Sequence, residues 1–201
     1  MLSIGTDNGL RSSVPFAGPS AGRAAALRRL PATSFIEFTI GDITRETTDA
    51  IVNPVGPGLV DLAVRQAAGP ELLEAFHLAT GHLPDGRLGA GQAIVTPGFG
   101  LPVGHVIHCG PPVYADDPEK ARQDLVACHV QVLRQARAHG FTSVAIPAIG
   151  TGVYRYPVAE AAEVAVDAVT TELRAYGVPL RVRFVLPSQA LLAAYAGAQR
   201  R

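Results

Sequence analysis

Short apolar runs alternate along this chain with longer segments whose apolar residues recur at helical spacing. The runs of strand type lie at 35–40, 50–53, 92–96, 105–109, 143–147 and 181–186. The helical segments lie at about 60–79 with an interruption near Gly69-Pro70, around 125–136, at about 157–176 and from Ser188 onward. Alternation of this kind predicts an α/β fold, in which helices cover both faces of one sheet.

Ligands of such folds bind outside the carboxyl ends of the strands, where loops lead into helix N-termini. We therefore expect a binding site where several of these loops meet. The candidate loops are 41–45, 53–61, 97–101, 109–116 and 148–156.

The segment 144–157 has the pattern of a strand that breaks into a glycine turn before a helix begins near Pro157. Glycines at 150 and 152 let the backbone approach a ligand and turn its N–H groups outward, and the positive end of a following helix favours an anion. The segment therefore predicts a phosphate-binding loop. Gly-x-Gly alone is equally compatible with an ordinary turn.

The composition excludes several classes of bulk partner. Seventeen basic residues balance seventeen acidic ones, so the overall charge favours neither nucleic acid nor an anionic membrane, and any anion must be recognised locally. The two cysteines, Cys109 and Cys128, stand in apolar surroundings, which favours buried free thiols in a reducing compartment. No apolar run approaches the ~18 residues of a membrane span. We expect a monomer in the cytoplasm.

Residues 1–34 are rich in Gly, Ser, Pro and Arg, and we interpret them as a flexible N-terminal extension. Their Arg-rich, acid-poor composition is also typical of an organelle transit peptide. Residues 35–201 are predicted to form one domain. The single lysine, Lys120, against sixteen arginines resembles the bias of a GC-rich bacterial genome.

Six short motifs follow one another in the chain: Gly41-Asp42-Ile43-Thr44; Asp49-Ala-Ile-Val-Asn53; Val60-Asp61 with Arg65-Gln-Ala-Ala-Gly69; Gly91-Gln-Ala-Ile-Val-Thr-Pro-Gly98; Val106-Ile-His108; and Ile146-Pro-Ala-Ile-Gly-Thr-Gly-Val-Tyr154 with Pro157. In this order and spacing they resemble the macrodomain family of ADP-ribose-binding modules, over about residues 35–198. The resemblance implies a three-layer α/β/α sandwich with a mixed, mostly parallel central sheet. It also implies ADP-ribose, or an ADP-ribosylated protein or nucleic acid, as ligand.

By the same resemblance, Asp42 and Ile43 bind the adenine: the carboxylate accepts from the exocyclic amine and the Ile43 amide donates to a ring nitrogen. A lone aspartate at this position is otherwise a loop or capping residue. The pyrophosphate is assigned to the backbone N–H groups of the loop that holds Gly150, Thr151, Gly152, Val153 and Tyr154.

Adenine also needs a flat apolar cover. The resemblance places an aromatic residue just after the last core strand, where this chain has Pro187. Because proline offers a smaller face, we expect weaker stacking, or compensation by Phe99 or Tyr154.

The distal ribose is assigned by resemblance to Asn53 and Asp61, with Asp61 as general base or water-orienting group. Gly56 stands where hydrolytic members carry a second Asn, and the loop is shorter, so this side of the pocket is expected to be more open. Asp61 is equally a candidate N-cap for a helix that begins near Leu62.

The histidines lack Cys or carboxylate partners at ligand spacing, so they predict no metal site. His108 is expected to be a buried, hydrogen-bonded strand residue. The hydrolysis implied by the resemblance would need no metal or cofactor, only a positioned water.

Three functions stay open at this point. One is hydrolysis of ADP-ribose from a modified substrate, which the presence of Asp61 favours. Another is a reader that binds ADP-ribose without turnover, which the loss of the second Asn favours. The third is another adenine nucleotide or RNA, and the missing basic stripe makes RNA the least favoured ligand.

Overall fold

A computed structural model describes residues 35–115, 117–176 and 180–200. The predicted extension of residues 1–34 lies outside the described residues. The strands are β1 (Ile36–Ile40), β2 (Ala50–Pro54), β3 (Ala93–Pro97), β4 (His105–Cys109), β5 (Ser143–Ile146) and β6 (Arg181–Leu186). The helices are α1 (Leu59–Ala68), α2 (Pro70–Thr80), α3 (Pro118–Ala138), α4 (Val158–Tyr176) and α5 (Gln189–Gln199), with single 3₁₀ turns at Ile43–Arg45 and Pro84–Gly86.

The break predicted near Gly69-Pro70 separates α1 from α2. Gly69 ends α1 with a positive φ of 94°, a conformation that favours glycine. Pro70 then begins α2, where its missing N–H costs no helical hydrogen bond.

The six strands form one sheet in the order β1-β6-β5-β2-β4-β3. All neighbouring pairs are parallel except the edge strand β3, which runs antiparallel to β4. The prediction of a mixed, mostly parallel sheet is confirmed.

Helices cover both faces of this sheet, because successive strand residues point to opposite sides. In β2, Ala50 and Val52 join the core beneath α3, α4 and α5, whereas Ile51 joins the core beneath α1 and α2. The predicted three-layer α/β/α sandwich is therefore confirmed. Among the described helices, none combines the length and the hydropathy that a membrane crossing requires.

The carboxyl ends of β1, β6, β5, β2 and β4 lie at one edge of the sheet, because these strands are parallel. The prediction that loop 97–101 belongs to this edge is wrong. Since β3 is antiparallel, its last residue, Pro97, pairs with His105, the first residue of β4. The loop, with Phe99, therefore lies at the opposite edge and offers no cover for adenine.

Both cysteines are buried free thiols, as predicted. A hydrogen bond to Cys128, together with burial, raises the pKa of the Cys109 thiol well above its usual value. The thiol therefore stays protonated and is a poor nucleophile.

Candidate ligand-binding site

The strand order fixes how the candidate loops are arranged along the carboxyl edge. The loop of Asp42 follows β1, Pro187 follows β6, the 150–154 loop follows β5, and the loop of Gly56 follows β2. Neighbouring strands are about 4.8 Å apart, so roughly 14 Å separates the two outer loops, with the glycine loop between them. The edge therefore offers three adjoining subsites in a row.

Asp42 begins the row as the cap of the 3₁₀ turn Ile43–Arg45. Its Oδ1 accepts from the Thr44 amide (3.0 Å) and from the Thr44 hydroxyl (2.7 Å), and these hydrogen bonds hold the pKa of the carboxyl below its usual value. The side chain is still 53% exposed, and the exposed Arg45 lies 3.7 Å from Oδ2. Asp42 is thus a capping residue, as one interpretation expected, and at the same time an ionised acceptor at the surface.

Pro187 lies beside this loop and is exposed. The Gly41 amide donates to the carbonyl of Leu186 at 3.1 Å, which joins the end of β1 to the end of β6. The proline ring is therefore the residue after β6 that stands next to Asp42, where the adenine cover was expected.

The glycine loop turns back on itself before α4. Gly150 has a positive φ of 82°, its carbonyl accepts from the Tyr156 amide (3.0 Å), and the Gly152 carbonyl accepts from the Arg155 amide (3.0 Å). Within the described part of the chain, the N–H groups of Gly152, Val153 and Tyr154 donate to no protein atom. Backbone N–H groups left available in this way suit an anion.

The side chain of Tyr154 lies on the β2 side of the loop, away from Asp42. Its hydroxyl donates to the carbonyl of Val55 at 3.4 Å, and its ring approaches Gly56 so closely that a Cβ at position 56 would collide with it. Tyr154 therefore does not cover the adenine position. The expectation of aromatic compensation there is wrong for this residue, as it is for Phe99.

At the far end of the row, Asn53 and Asp61 meet in a buried pair. The Asn53 side-chain amide donates to Oδ1 of Asp61 at 2.7 Å, and the two side chains are 1% and 3% exposed. Oδ2 of Asp61 accepts from the guanidinium of Arg65, one helical turn later. Asp61 is not an N-cap, because α1 begins at Leu59 with Gly58 as its cap.

His108 extends this network into the sheet. The Thr96 hydroxyl donates to the Pro97 carbonyl (3.2 Å), so it accepts from Nε2 of His108 (2.8 Å). Nδ1 of His108 then accepts the second N–H of the Asn53 amide (3.3 Å). Burial lowers the pKa of His108 to about 4, with Asp61 opposing and Arg65 reinforcing that effect. The neutral imidazole holds Asn53, and His108 is the buried strand residue that the sequence predicted.

Two cavities adjoin the pair. A small one of about 30 Å³ is lined by Asn53, Asp61, Arg65, His108 and their apolar neighbours. A larger one of about 700 Å³ opens beside Gly56 and Tyr154, with Arg65, Phe76, Arg87 and Leu88 among its lining residues. Asp61 lines the small cavity but not the large one, whereas Arg65 lines both. The large cavity lies on the side of the site that was expected to be more open.

Sequence reasoning missed Arg65 as part of the site. Its i, i+4 spacing from Asp61 is the signal that was available. Thr96 was also missed, and only its pairing with His108 across β3 and β4 reveals it. No cluster of three or more His, Cys, Asp or Glu side chains that could hold a metal ion occurs in the described ranges.

Comparison with known proteins gives a consistent result. The family model described as "Macro domain" matches residues 52–165. A protein of Enterobacter sp. (strain 638) named O-acetyl-ADP-ribose deacetylase is 42% identical over 155 residues, which is 75% of this chain and 85% of that protein.

Solved structures agree with the sequence relatives. The Oceanobacillus iheyensis macrodomain with ADP has a TM-score of 0.77 and 36% identity, covering 82% of this chain and 90% of its own. The Trypanosoma brucei macrodomain in complex with ADP-ribose has a TM-score of 0.71 and 25% identity, covering 84% of this chain and 71% of its own.

Proposed function

The chain belongs to the macro domain family, and we propose that it binds ADP-ribose along the carboxyl edge of its sheet. The observation that carries this proposal is the row of subsites: an exposed acceptor at Asp42, a loop of available N–H groups at 152–154, and the polar pair Asn53–Asp61. A solved relative bound to ADP-ribose supports the same ligand.

In this proposal, each part of the ligand meets a different loop. Asp42 accepts from the adenine amine while the Ile43 amide donates to a ring nitrogen, and Pro187 covers the ring. The pyrophosphate lies on the loop formed by Gly150, Thr151, Gly152, Val153 and Tyr154. The distal ribose faces Asn53 and the large cavity.

Gly152→Glu tests the phosphate site, because a carboxylate there would repel the phosphates. A Cβ added at Gly152 meets no atom within 4 Å, so the fold should tolerate the change. Gly197→Glu is the matched control, since a Cβ at this helical position also meets nothing. Isothermal titration should show that Gly152→Glu loses ADP-ribose affinity while Gly197→Glu keeps it. Equal affinity in the two variants would show that the phosphate site is misplaced.

We also propose that the protein hydrolyses an ester of ADP-ribose. Relatives named O-acetyl-ADP-ribose deacetylase support this activity. Both Asp61 oxygens are engaged by Asn53 and Arg65, so we assign Asp61 the orientation of neighbouring groups rather than proton abstraction. Turnover of O-acetyl-ADP-ribose by the wild type, reduced about a hundredfold in Asp61→Asn because the oriented groups are misplaced, is the expected result.

The reader is the second candidate function. Gly56 in place of the second Asn favours it, as does the engaged carboxylate of Asp61. Tight ADP-ribose binding without turnover of the acetyl ester, of a longer acyl ester or of ADP-ribosylated protein would establish the reader and exclude the hydrolase.

We propose that the protein acts as a monomer in the cytoplasm and that its ADP-ribose is attached to a protein or a nucleic acid. Measurement of the molar mass in solution tests the monomer, and binding to ADP-ribosylated protein and DNA compares the two carriers.

A further inference from the structure

Of the charged pair Asp61 and Arg65, only Arg65 lines the large cavity. The Asp61 carboxylate is buried and both of its oxygens have donors, whereas the Arg65 side chain is 44% exposed and lines the cavity. A guanidinium carries five N–H donors and no acceptor. After one of them is given to Asp61, the remainder can serve a bound molecule. The distal cavity is therefore lined by a fixed donor, not by a free base.

Asp61 and Asn53 act as positioning residues for that donor. Asp61 joins Arg65 to Asn53, and Asn53 is held in turn by His108. This chain of contacts restrains the guanidinium, so less side-chain entropy is lost when it binds a ligand.

The walls of the cavity suit an apolar chain. Val55, Phe76 and Leu88 are among its lining residues, and its volume of about 700 Å³ falls in the range of pockets for drug-sized ligands. An acetyl group has three heavy atoms and would leave most of this space unfilled. The lining includes the basic residues Arg65 and Arg87 and the acidic residue Asp85, so these three charges sum to a positive value. A positive lining disfavours a cationic group such as a guanidinium or an ammonium.

We propose that this cavity is an acyl subsite: it takes the acyl chain of an ADP-ribose ester longer than acetyl, with Arg65 donating to the ester carbonyl oxygen. The inference rests on the proposed binding of ADP-ribose, which places the distal ribose beside Gly56 and Tyr154. An ester carbonyl is an acceptor, so it matches the donor that Arg65 supplies, while the chain beyond it covers Phe76 and Leu88.

Binding of stable analogues tests the subsite without turnover. The probes are ADP-ribose and its distal-ribose amides with an acetyl or a hexanoyl group, which keep the carbonyl and resist hydrolysis. In isothermal titration, the wild type should bind the hexanoyl amide about tenfold more tightly than ADP-ribose, and also more tightly than the acetyl amide.

Two variants separate the subsite from the fold. In Arg65→Met the affinity for the acylated probes relative to ADP-ribose should fall from about tenfold to about one, a ratio in which any common loss of ADP-ribose affinity cancels, and Arg174→Gln on α4 is the control for loss of an arginine. If Arg65→Met fails to fold because Asp61 loses a partner, Leu88→Trp fills the cavity without touching that pair. It should bind ADP-ribose normally and reject the hexanoyl amide.

The outcomes distinguish this inference from the proposed function. Wild-type protein that binds ADP-ribose but shows no preference for the hexanoyl amide over the acetyl amide overturns the subsite and leaves ADP-ribose binding intact. A preference that persists unchanged in Arg65→Met or Leu88→Trp overturns it as well. Failure of the wild type to bind ADP-ribose itself overturns the proposed function and the subsite together.

Discussion

His129 makes the stability of the fold depend on pH in a way that the structure predicts in sign and size. The imidazole is fully buried in α3; its Nδ1 donates to the Leu125 carbonyl at 2.8 Å, and its Nε2 has no partner among the described residues. Protonation would place a charge and an unpaired N–H in the core beside Phe184. Burial accordingly lowers the pKa of His129 to about 4, from an ordinary value of 6.5.

A histidine whose folded-state pKa is depressed stays neutral when folded but takes up a proton when unfolded. Its contribution to stability is therefore complete above pH ~6.5 and is lost as the pH falls toward ~4, at up to about 1.4 kcal/mol per pH unit. Through His129, acidification from about pH 7 to about pH 5 should therefore lower the free energy of unfolding by about 2 kcal/mol.

His129→Leu removes this titration and fills a similar volume. Urea unfolding of the wild type, His129→Leu and the control His139→Leu at the two pH values measures the loss. His139 makes the same kind of contact, to the Gln135 carbonyl, at the exposed end of α3. We expect His129→Leu to lose about 2 kcal/mol less than the wild type on acidification, and His139→Leu to behave as the wild type does. Equal losses in all three proteins would show that the buried His129 does not contribute to the loss of stability in acid.

Three further changes have definite expected results. Gly56→Ala should lower ADP-ribose affinity about tenfold and the free energy of unfolding by ~1–3 kcal/mol, because the φ of Gly56 is +144° and the new Cβ would meet Tyr154. Isothermal titration measures the affinity and urea unfolding measures the stability. Unchanged values of both would contradict the close contact. Asp49→Ala should lose ~2–4 kcal/mol near neutral pH, since Oδ2 accepts from the Thr142 amide at 2.7 Å. Burial raises the pKa of the Asp49 carboxyl, but its hydrogen bonds to Thr142 and Ser143 outweigh burial, so the pKa is lowered overall. The stability lost in Asp49→Ala should therefore shrink in acid, where the carboxyl is protonated. A loss of stability that stays constant in acid would contradict this. Ser188→Ala removes the N-cap of α5 and should lower the free energy of unfolding by about 1 kcal/mol. Thermal unfolding measures this change, and an unchanged melting temperature would contradict it.

The fold was predictable because its signals are local. The glycine–proline break between α1 and α2 can be recognised from adjacent residues. So can the apolar runs of the strands. The direction of β3 is different in kind, because a strand of five residues reads the same whether it pairs parallel or antiparallel. The wrong placement of loop 97–101, and with it of Phe99, follows from that ambiguity.

The site was predictable in its positions more than in its contacts. The resemblance named Asp61, and the structure adds that its carboxylate faces Arg65 and Asn53 within the protein. Spacing alone could not show this, because Asp61 to Arg65 at i, i+4 is also the pattern of an ordinary surface ion pair. Burial of the aspartate turns the pair into part of the site, and burial depends on the packing of α1 against β2.

We propose that the row of subsites at the carboxyl edge binds ADP-ribose through its pyrophosphate. Isothermal titration of the wild-type protein with ADP-ribose, ADP and AMP tests it most directly. ADP and ADP-ribose should both bind more tightly than AMP, and ADP-ribose should bind at least about tenfold more tightly than AMP. Equal affinities for AMP and ADP-ribose, or no binding of ADP-ribose, would contradict the account.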